Sequence, residues 1–107
     1  MTEISVQELK SRIDTGEKLN VIDVREEWEV QEFNIGAKNI PLSVFMTKLE
    51  ELEHLKNEEV IVHCKMGGRS IQAVMVLEQL GFKNARNLTG GMDAWLAAFV
   101  NPPAQAK

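Results

Sequence analysis

One cysteine, at the start of a short loop that contains two glycines, is the residue of this chain best placed for chemistry. The apolar, β-branched run Val60–His63 predicts a strand that leads into Cys64, the only cysteine in the chain. The loop Cys64–Arg69 follows, and Ser70 then opens an apolar helical pattern. Glycines let backbone N–H groups turn inward, and a helix N-terminus adds partial positive charge. The pattern predicts a cysteine that ionises readily and acts as a nucleophile.

The loop residues have different predicted roles around the sulfur. Cys64 is the predicted nucleophile, although a lone cysteine is also commonly an inert core residue. Arg69 is expected to fix the loop by pairing with a carboxylate or with backbone carbonyls, because its planar fork suits both. Ser70 is expected to cap the following helix first and to donate a hydrogen bond to the sulfur second. The residues predicted to form the active-site loop and to bind an anion are Lys65, Met66, Gly67, Gly68, Arg69 and Ser70.

Four further polar side chains flank the predicted site. Lys65 either attracts an anionic donor or is an ordinary solvated lysine. Asp23 and Arg25 stand at the end of an earlier apolar run and are candidates for the rim of the site, although a structural ion pair is the favoured interpretation for both. His63 directly precedes Cys64 on the predicted strand, so its side chain should point to the opposite face. A packed core histidine is therefore expected rather than a general base.

Strand and helix patterns alternate along the whole chain. This alternation predicts an α/β fold with a parallel central sheet flanked by helices on both faces. Ligands of such sheets lie beyond the carboxyl ends of the strands, where Cys64, Asp23 and Arg25 would meet. The expected domain covers residues 1–100, and residues 101–107 form an expected C-terminal tail.

Finer predictions concern helix ends and aromatic packing. Ser43 is expected to cap a helix over 44–55, and a closing helix is expected over 92–99. Trp28 and Trp95 are expected to pack against the protein rather than to stack on a ligand, because neither stands among basic residues.

The composition argues against several functional classes. A net charge of −4 argues against nucleic-acid binding and against a basic membrane-binding surface. No apolar run approaches the roughly 18 residues that a membrane helix needs. A single cysteine cannot form an internal disulfide, so a reducing, cytoplasmic location is expected. Any partner in redox or sulfur-transfer chemistry must then come from outside the chain.

Several segments together resemble the single-domain rhodanese family of sulfurtransferases. Val21–Glu26 resembles the family's hydrophobic-Asp-Val-Arg strand end, and Cys64–Ser70 resembles its active-site loop. Gly81-Phe82 and Asn87–Trp95 resemble its C-terminal signature. These segments follow the family's order, span nearly the whole chain and imply a rhodanese-like fold. One departure is Glu32–Ala37, where the family often has a Gly-His-Ile motif and this chain has no histidine.

The resemblance implies a rhodanese-type thiosulfate sulfurtransferase that needs no cofactor and no metal. Cys64 would attack the outer sulfur of a small donor such as thiosulfate, release sulfite and hold a persulfide. A thiol or cyanide acceptor would then remove the terminal sulfur. A sulfur-accepting protein is an alternative partner, and neither nucleic acid nor a membrane is expected.

Three alternative functions stay open at the level of sequence. A cysteine-loop phosphatase or arsenate reductase would use a related loop one residue longer, whereas the four residues between Cys64 and Arg69 should fit a single sulfur and reject phosphate. A non-catalytic rhodanese-like binding module is the second, although such modules typically replace the cysteine. The third is a sulfur carrier that passes persulfide sulfur to a protein.

Overall fold

A computed structural model describes residues 2–101, and the strands in that range form one parallel sheet. The strands are β1 Thr2–Ile4, β2 Val21–Asp23, β3 Lys38–Asn39, β4 Glu59–His63 and β5 Asn84–Leu88. The helices are α1 Val6–Asp14, α2 Glu27–Glu32, a 3₁₀ helix Leu42–Leu55, α3 Gly68–Gln79 and α4 Gly91–Trp95. The order across the sheet is β1-β5-β4-β2-β3, so the strand that leads into Cys64 is central.

Two apolar cores lie on opposite faces of the sheet, which confirms the predicted helices on both faces. Successive side chains of a strand point to opposite faces, so Val60 and Val62 enter one core and Ile61 the other. Cys64 continues the alternation of Val60 and Val62 and therefore borders the larger core. That core also contains Phe45 and Leu52 of the 3₁₀ helix and Ala73, Val74 and Leu77 of α3. Ile4, Leu9, Met92 and Trp95 contribute to the smaller core.

The helix before β4 differs from its prediction. Residues Leu42–Leu55 form a 3₁₀ helix, not an α-helix over 44–55, and Pro41 stands at its N-terminal end. Ser43 does not cap it, because its hydroxyl donates to Glu26 Oε2 at 3.0 Å. Long 3₁₀ helices are uncommon because their hydrogen bonds are poorer, so burial of Phe45 is the stronger source of stability here.

The last described helix changes its hydrogen bonding part-way. α4 ends at Trp95 and continues as a π-helix over Leu96–Val100, where a single helix over 92–99 was predicted. Trp95 is buried as predicted, and its ring meets Phe99 edge-on with 5.0 Å between the ring centroids. The expected tail over 101–107 lies outside the described residues except for Asn101. No helix within residues 2–101 is both long and apolar enough to cross a membrane.

Candidate active site

The sulfur of Cys64 lies within a group of hydrogen-bond donors at the carboxyl end of β4. The Gly67 N–H donates to Sγ over 3.0 Å, and the Ser70 N–H donates over 3.4 Å. The Ser70 hydroxyl oxygen lies 3.3 Å from the same sulfur. Cys64 is only 1% exposed, yet its sulfur faces these polar groups and is not enclosed by apolar side chains alone. The structure therefore contains the predicted cradle for a negatively charged sulfur.

A single glycine makes the turn of this cradle possible. Gly67 has a φ of +120°, a conformation that residues with a side chain rarely adopt, and its own N–H is the closest donor to the sulfur. Gly68 has an ordinary backbone conformation and begins α3. The prediction that both glycines shape the turn is thus correct only for Gly67. Because α3 begins at Gly68, Ser70 lies inside its first turn, and the predicted role of Ser70 as an N-cap is wrong.

Ser70 joins the sulfur to a buried amide that the sequence analysis did not identify. Its hydroxyl donates to Asn87 Oδ1 and lies 3.1 Å from the Gly67 carbonyl oxygen. Asn87 is buried on β5, and its Nδ2 donates to Glu3 Oε1 at 3.5 Å. A hydroxyl has one proton, so Asn87 Oδ1, the Gly67 carbonyl oxygen and the sulfur compete for the Ser70 proton. Asn87 begins the segment that resembles the family's C-terminal signature, but that pattern does not predict a contact with Ser70.

Two opposing effects set the pKa of the Cys64 thiol. Burial raises the pKa, because a thiolate loses its hydration in the protein interior. Hydrogen bonds from the Ser70 hydroxyl and N–H, and from the N–H groups of Gly67 and Met66, lower the pKa and together outweigh burial. The pKa of Cys64 therefore lies below its ordinary value, which favours the nucleophilic thiolate.

Arg69 fixes the loop through a carboxylate, which is one of its two predicted roles. Its Nη1 donates to Glu29 Oε1 at 2.6 Å and its Nη2 donates to Glu29 Oε2 at 2.8 Å. Glu29 also accepts the N–H of Glu26 at 3.0 Å, in the capping box at the start of α2. The Arg69 hydrogen bonds lower the pKa of Glu29 to about 2, although burial opposes them. This bidentate pair ties the start of α3 to α2.

Asp23 and Arg25 form the favoured structural ion pair. The Nη2 atom of Arg25 donates to Asp23 Oδ2 at 2.8 Å, and both side chains are almost fully buried. Arg25 also donates to the carbonyl oxygens of Glu29 at 3.3 Å and Phe33 at 2.7 Å. These contacts attach α2 to the end of β2. The pair therefore acts on the site indirectly, by positioning the helix that carries Glu29.

His63 is a core histidine, as predicted. Its side chain is fully buried, and its Nε2 lies 3.7 Å from Asp23 Oδ2. Within residues 2–101, neither ring nitrogen has a hydrogen-bond partner. Burial lowers the pKa of His63, so the ring is neutral near pH 7. Strand alternation directs it away from Cys64, which makes it a poor general base for the thiol.

The turn before α4 holds the loop from a second side. The N–H of Met92 donates to the Cys64 carbonyl oxygen, and the N–H of Asp93 donates to the Lys65 carbonyl oxygen, both at 2.9 Å. Gly91 has a φ of +56°, and a Cβ atom at this position would lie 2.5 Å from the Cys64 carbonyl oxygen. The close approach of two backbones explains why glycine stands here. The resemblance marked this segment as a signature, and the structure gives it a role in positioning the loop.

Exposed side chains surround the loop. Met66 is 69% exposed, and Lys65 Nζ binds both carboxylate oxygens of Asp93 at 3.1 Å. Trp28 is 64% exposed, so its predicted packing role is wrong. A cavity of about 180 Å³ beside the loop is lined in part by Trp28, Lys65, Asp93 and Glu32.

A larger cavity lies away from the sulfur. It has a volume of about 490 Å³, is lined in part by Leu19, Asn20 and His54, and contains none of the predicted site residues. Among residues 2–101, no group of three or more His, Cys, Asp and Glu side chains is arranged to hold a metal ion. The chemistry of the described residues is therefore concentrated at Cys64.

Comparison with known proteins gives a consistent result. The Rhodanese-like domain family matches residues 5–98. The crystal structure of SSP1007 from Staphylococcus saprophyticus is 41% identical, has a TM-score of 0.79, and is matched over 87% of this chain and 91% of that chain. The YtwF protein of Bacillus subtilis is 40% identical over 94 residues, which cover 87% of this chain and 88% of YtwF.

A third relative carries an activity in its name. The protein named Sulfurtransferase from Allochromatium vinosum is 30% identical over 96 residues, which cover 89% of this chain and 88% of that protein. Other relatives are longer: the chain spans 50% of the length of one and 24% of another.

Proposed function

The chain belongs to the rhodanese-like family of sulfurtransferases and sulfur carriers, and from that premise we propose that it transfers a sulfane sulfur through a persulfide on Cys64. The observation that carries this proposal is the position of the Cys64 sulfur, 3.0 Å from the Gly67 nitrogen and 3.4 Å from the Ser70 nitrogen. These N–H groups can stabilise a thiolate, and a short shift would bring them to the terminal sulfur of a persulfide.

The proposed reaction has two displacements. In the first, the Cys64 thiolate attacks the outer sulfur of a donor such as thiosulfate. The sulfur–sulfur bond of the donor breaks, sulfite leaves with the bonding electron pair, and Cys64 holds a persulfide. In the second, a thiol, cyanide or a sulfur-accepting protein attacks the terminal sulfur, and Cys64 leaves as a thiolate. The name of the Allochromatium vinosum relative supports transfer as the activity.

The geometry of the cradle favours this proposal over the alternatives. A non-catalytic module has no need of a thiol whose pKa is lowered by four hydrogen bonds, as that of Cys64 is. The related phosphatase loop is one residue longer, whereas four residues separate Cys64 from Arg69, which favours a cradle for a single sulfur.

Intact-mass spectrometry tests the proposal. After incubation with thiosulfate and removal of small molecules, the protein should gain about 32 Da, the mass of one sulfur atom bound as a persulfide. Subsequent addition of cyanide should remove that mass and release thiocyanate. The Cys64→Ser variant is the matched control, because it keeps the size of the side chain and should show neither the gain nor turnover. Turnover by this variant would contradict the proposal.

A further inference from the structure

The cations beside the Cys64 loop are all engaged by carboxylates. Arg69 is bound by Glu29 through two hydrogen bonds of 2.6 and 2.8 Å. Lys65, which the sequence analysis considered as an attractor of anionic donors, binds Asp93 at 3.1 Å. Arg25 lies in the buried ion pair described above. Within residues 2–101, each cation of the loop and of the neighbouring cavity is therefore paired with a carboxylate.

Carboxylates outnumber cations at this edge. Glu32 lines the cavity beside the loop together with Lys65 and Asp93. Within residues 2–101, Glu32 has no cationic partner. Glu26 precedes α2, where Glu29 Oε1 accepts both the Glu26 N–H and Arg69 Nη1, and the Glu26 carboxylate accepts a hydrogen bond from the neutral hydroxyl of Ser43. The cations Arg25, Lys65 and Arg69 thus face the carboxylates of Asp23, Glu26, Glu29, Glu32 and Asp93, an excess of two negative charges.

Two of the backbone N–H dipoles at this loop are already directed at the sulfur. The N–H groups of Gly67 and Ser70 point at the Cys64 sulfur, so the sulfur itself occupies them. A thiolate there adds one more negative charge. A dianion that approaches along the neighbouring cavity therefore meets more carboxylates than cations.

From this charge distribution, and resting on the proposed function, we infer that the edge selects sulfane-sulfur donors by charge, and that Glu32 and Asp93 are specificity-determining residues. The favoured donors carry an ammonium group near the sulfane sulfur or have no net charge. A zwitterionic amino-alkyl donor has both properties. Thiosulfate, a dianion, is disfavoured. Specificity arises because each negative charge on the donor is repelled by the unneutralised carboxylates.

A series of three donors isolates charge from chemistry. Thiosulfate carries two negative charges, methanethiosulfonate carries one, and 2-aminoethanethiosulfonate is a zwitterion with none. In each case the Cys64 thiolate bonds to the terminal sulfur, the bond from that sulfur to the oxidised sulfur breaks, and sulfite or the sulfinate leaves with the electron pair. Intrinsic reactivity differs among the donors, so the ratio of variant to wild-type kcat/KM is compared for each one.

Glu32→Lys and Asp93→Asn test the inference. Glu32→Lys should raise kcat/KM for thiosulfate about three-fold, raise it less for the monoanion, and leave it unchanged or lower it for the zwitterion, as expected for screened charges several ångströms apart. Asp93→Asn removes the anionic partner of Lys65 and should also raise kcat/KM for thiosulfate more than for the zwitterion. Added salt should raise the wild-type rate with thiosulfate and leave the rate with the zwitterion nearly constant.

Glu78→Lys is the matched control. This exposed residue lies near the far end of α3, and the same change of charge there should leave all three ratios near one. Equal effects of Glu32→Lys on the three donors, or an effect no larger than that of Glu78→Lys, would overturn the inference. Failure of every donor to add a sulfur to wild-type Cys64 would instead overturn the proposed function, and this inference with it.

Discussion

The two ends of β4 hold negative charge in different ways. At its start, the Glu59 carboxylate accepts hydrogen bonds of 2.9 Å from both Arg12 and Arg86. Directly after its end, the Cys64 sulfur accepts hydrogen bonds from the neutral N–H groups of Gly67 and Ser70. One strand thus joins a charge that is neutralised by cations to a charge that is stabilised by backbone dipoles.

The difference explains why only one end is suited to chemistry. Arg12 and Arg86 occupy the lone pairs of Glu59 and lower its pKa to about 2, which makes it a stable structural anion. The Ser70 hydroxyl and backbone N–H groups lower the pKa of Cys64, and among residues 2–101 no cation is hydrogen-bonded to the sulfur, so its electron pairs stay available. Ion pairs therefore stabilise the sheet at one end, and dipoles stabilise a thiolate at the other.

Gly91→Ala should have the largest effect, because it disrupts the backbone contact on which only the Cys64 end depends. The added Cβ would lie 2.5 Å from the Cys64 carbonyl oxygen, so the loop or α4 must move. We expect the free energy of unfolding to fall by about 3 kcal/mol and sulfur transfer to be strongly reduced. Urea denaturation and sulfur-transfer assays measure the two effects.

Gly36→Ala is the control for backbone strain. Gly36 also has a positive φ, +84°, but nothing lies within 4 Å of the position of a new Cβ. The free energy of unfolding of Gly36→Ala should fall by about 1 kcal/mol from left-handed backbone strain alone, and the variant should keep its sulfur-transfer activity. Equal losses of stability in the two variants would contradict the proposed contact between α4 and the loop.

Glu29→Gln and Glu59→Gln compare the two carboxylates directly. Each has a folded-state pKa of about 2 against an ordinary value of 4.5, so each stabilises the protein above pH 4.5 and loses that contribution as the pH falls toward 2. The free energy of unfolding of each variant should be about 2 kcal/mol lower than that of the wild type at pH 7, a moderate value because partial exposure weakens the pairs. Between pH 7 and acid, each variant should lose less stability than the wild type does. Denaturation at several pH values measures this.

Activity should separate these two variants. Only Glu29 holds Arg69 of the Cys64 loop, so Glu29→Gln should lower kcat/KM for sulfur transfer, while Glu59→Gln should leave it within about two-fold. Equal effects on activity would mean that the ends of β4 are not functionally distinct.

Ser70→Ala should have the smallest effect, because it removes one donor of the cradle and keeps the backbone N–H groups. The Ser70 hydroxyl is among the groups that lower the pKa of Cys64, so the pKa should rise in the variant. The pH dependence of the rate of alkylation by iodoacetamide measures this pKa. Ser43→Ala, a change of an exposed hydroxyl on the 3₁₀ helix, should leave it unaltered. A lower pKa in Ser70→Ala would show that Asn87 holds the hydroxyl proton away from the sulfur.

Contacts distant in the chain were the hardest to predict. The partner of Arg69 is 40 residues away and that of Ser70 is 17 residues away, so no local pattern identifies Glu29 or Asn87. The capping-box spacing of Glu26 and Glu29 was the one available signal, and it predicts a helix start, not an ion pair. The exposure of Trp28 was missed for the same reason: burial depends on which elements cover a helix, and the sequence of α2 does not state this.

Local sequence patterns predict the alternation of strands and helices, the candidate nucleophile Cys64 and the short glycine turn that places amides near it. These features depend on residues close together in the chain, whose backbone preferences and side-chain spacing act locally. Packing between distant elements sets which carboxylate holds Arg69, which amide meets Ser70 and how α4 approaches the Cys64 carbonyl. Each of these contacts requires two distant elements to pack against the same sheet, and packing is a property of the whole domain.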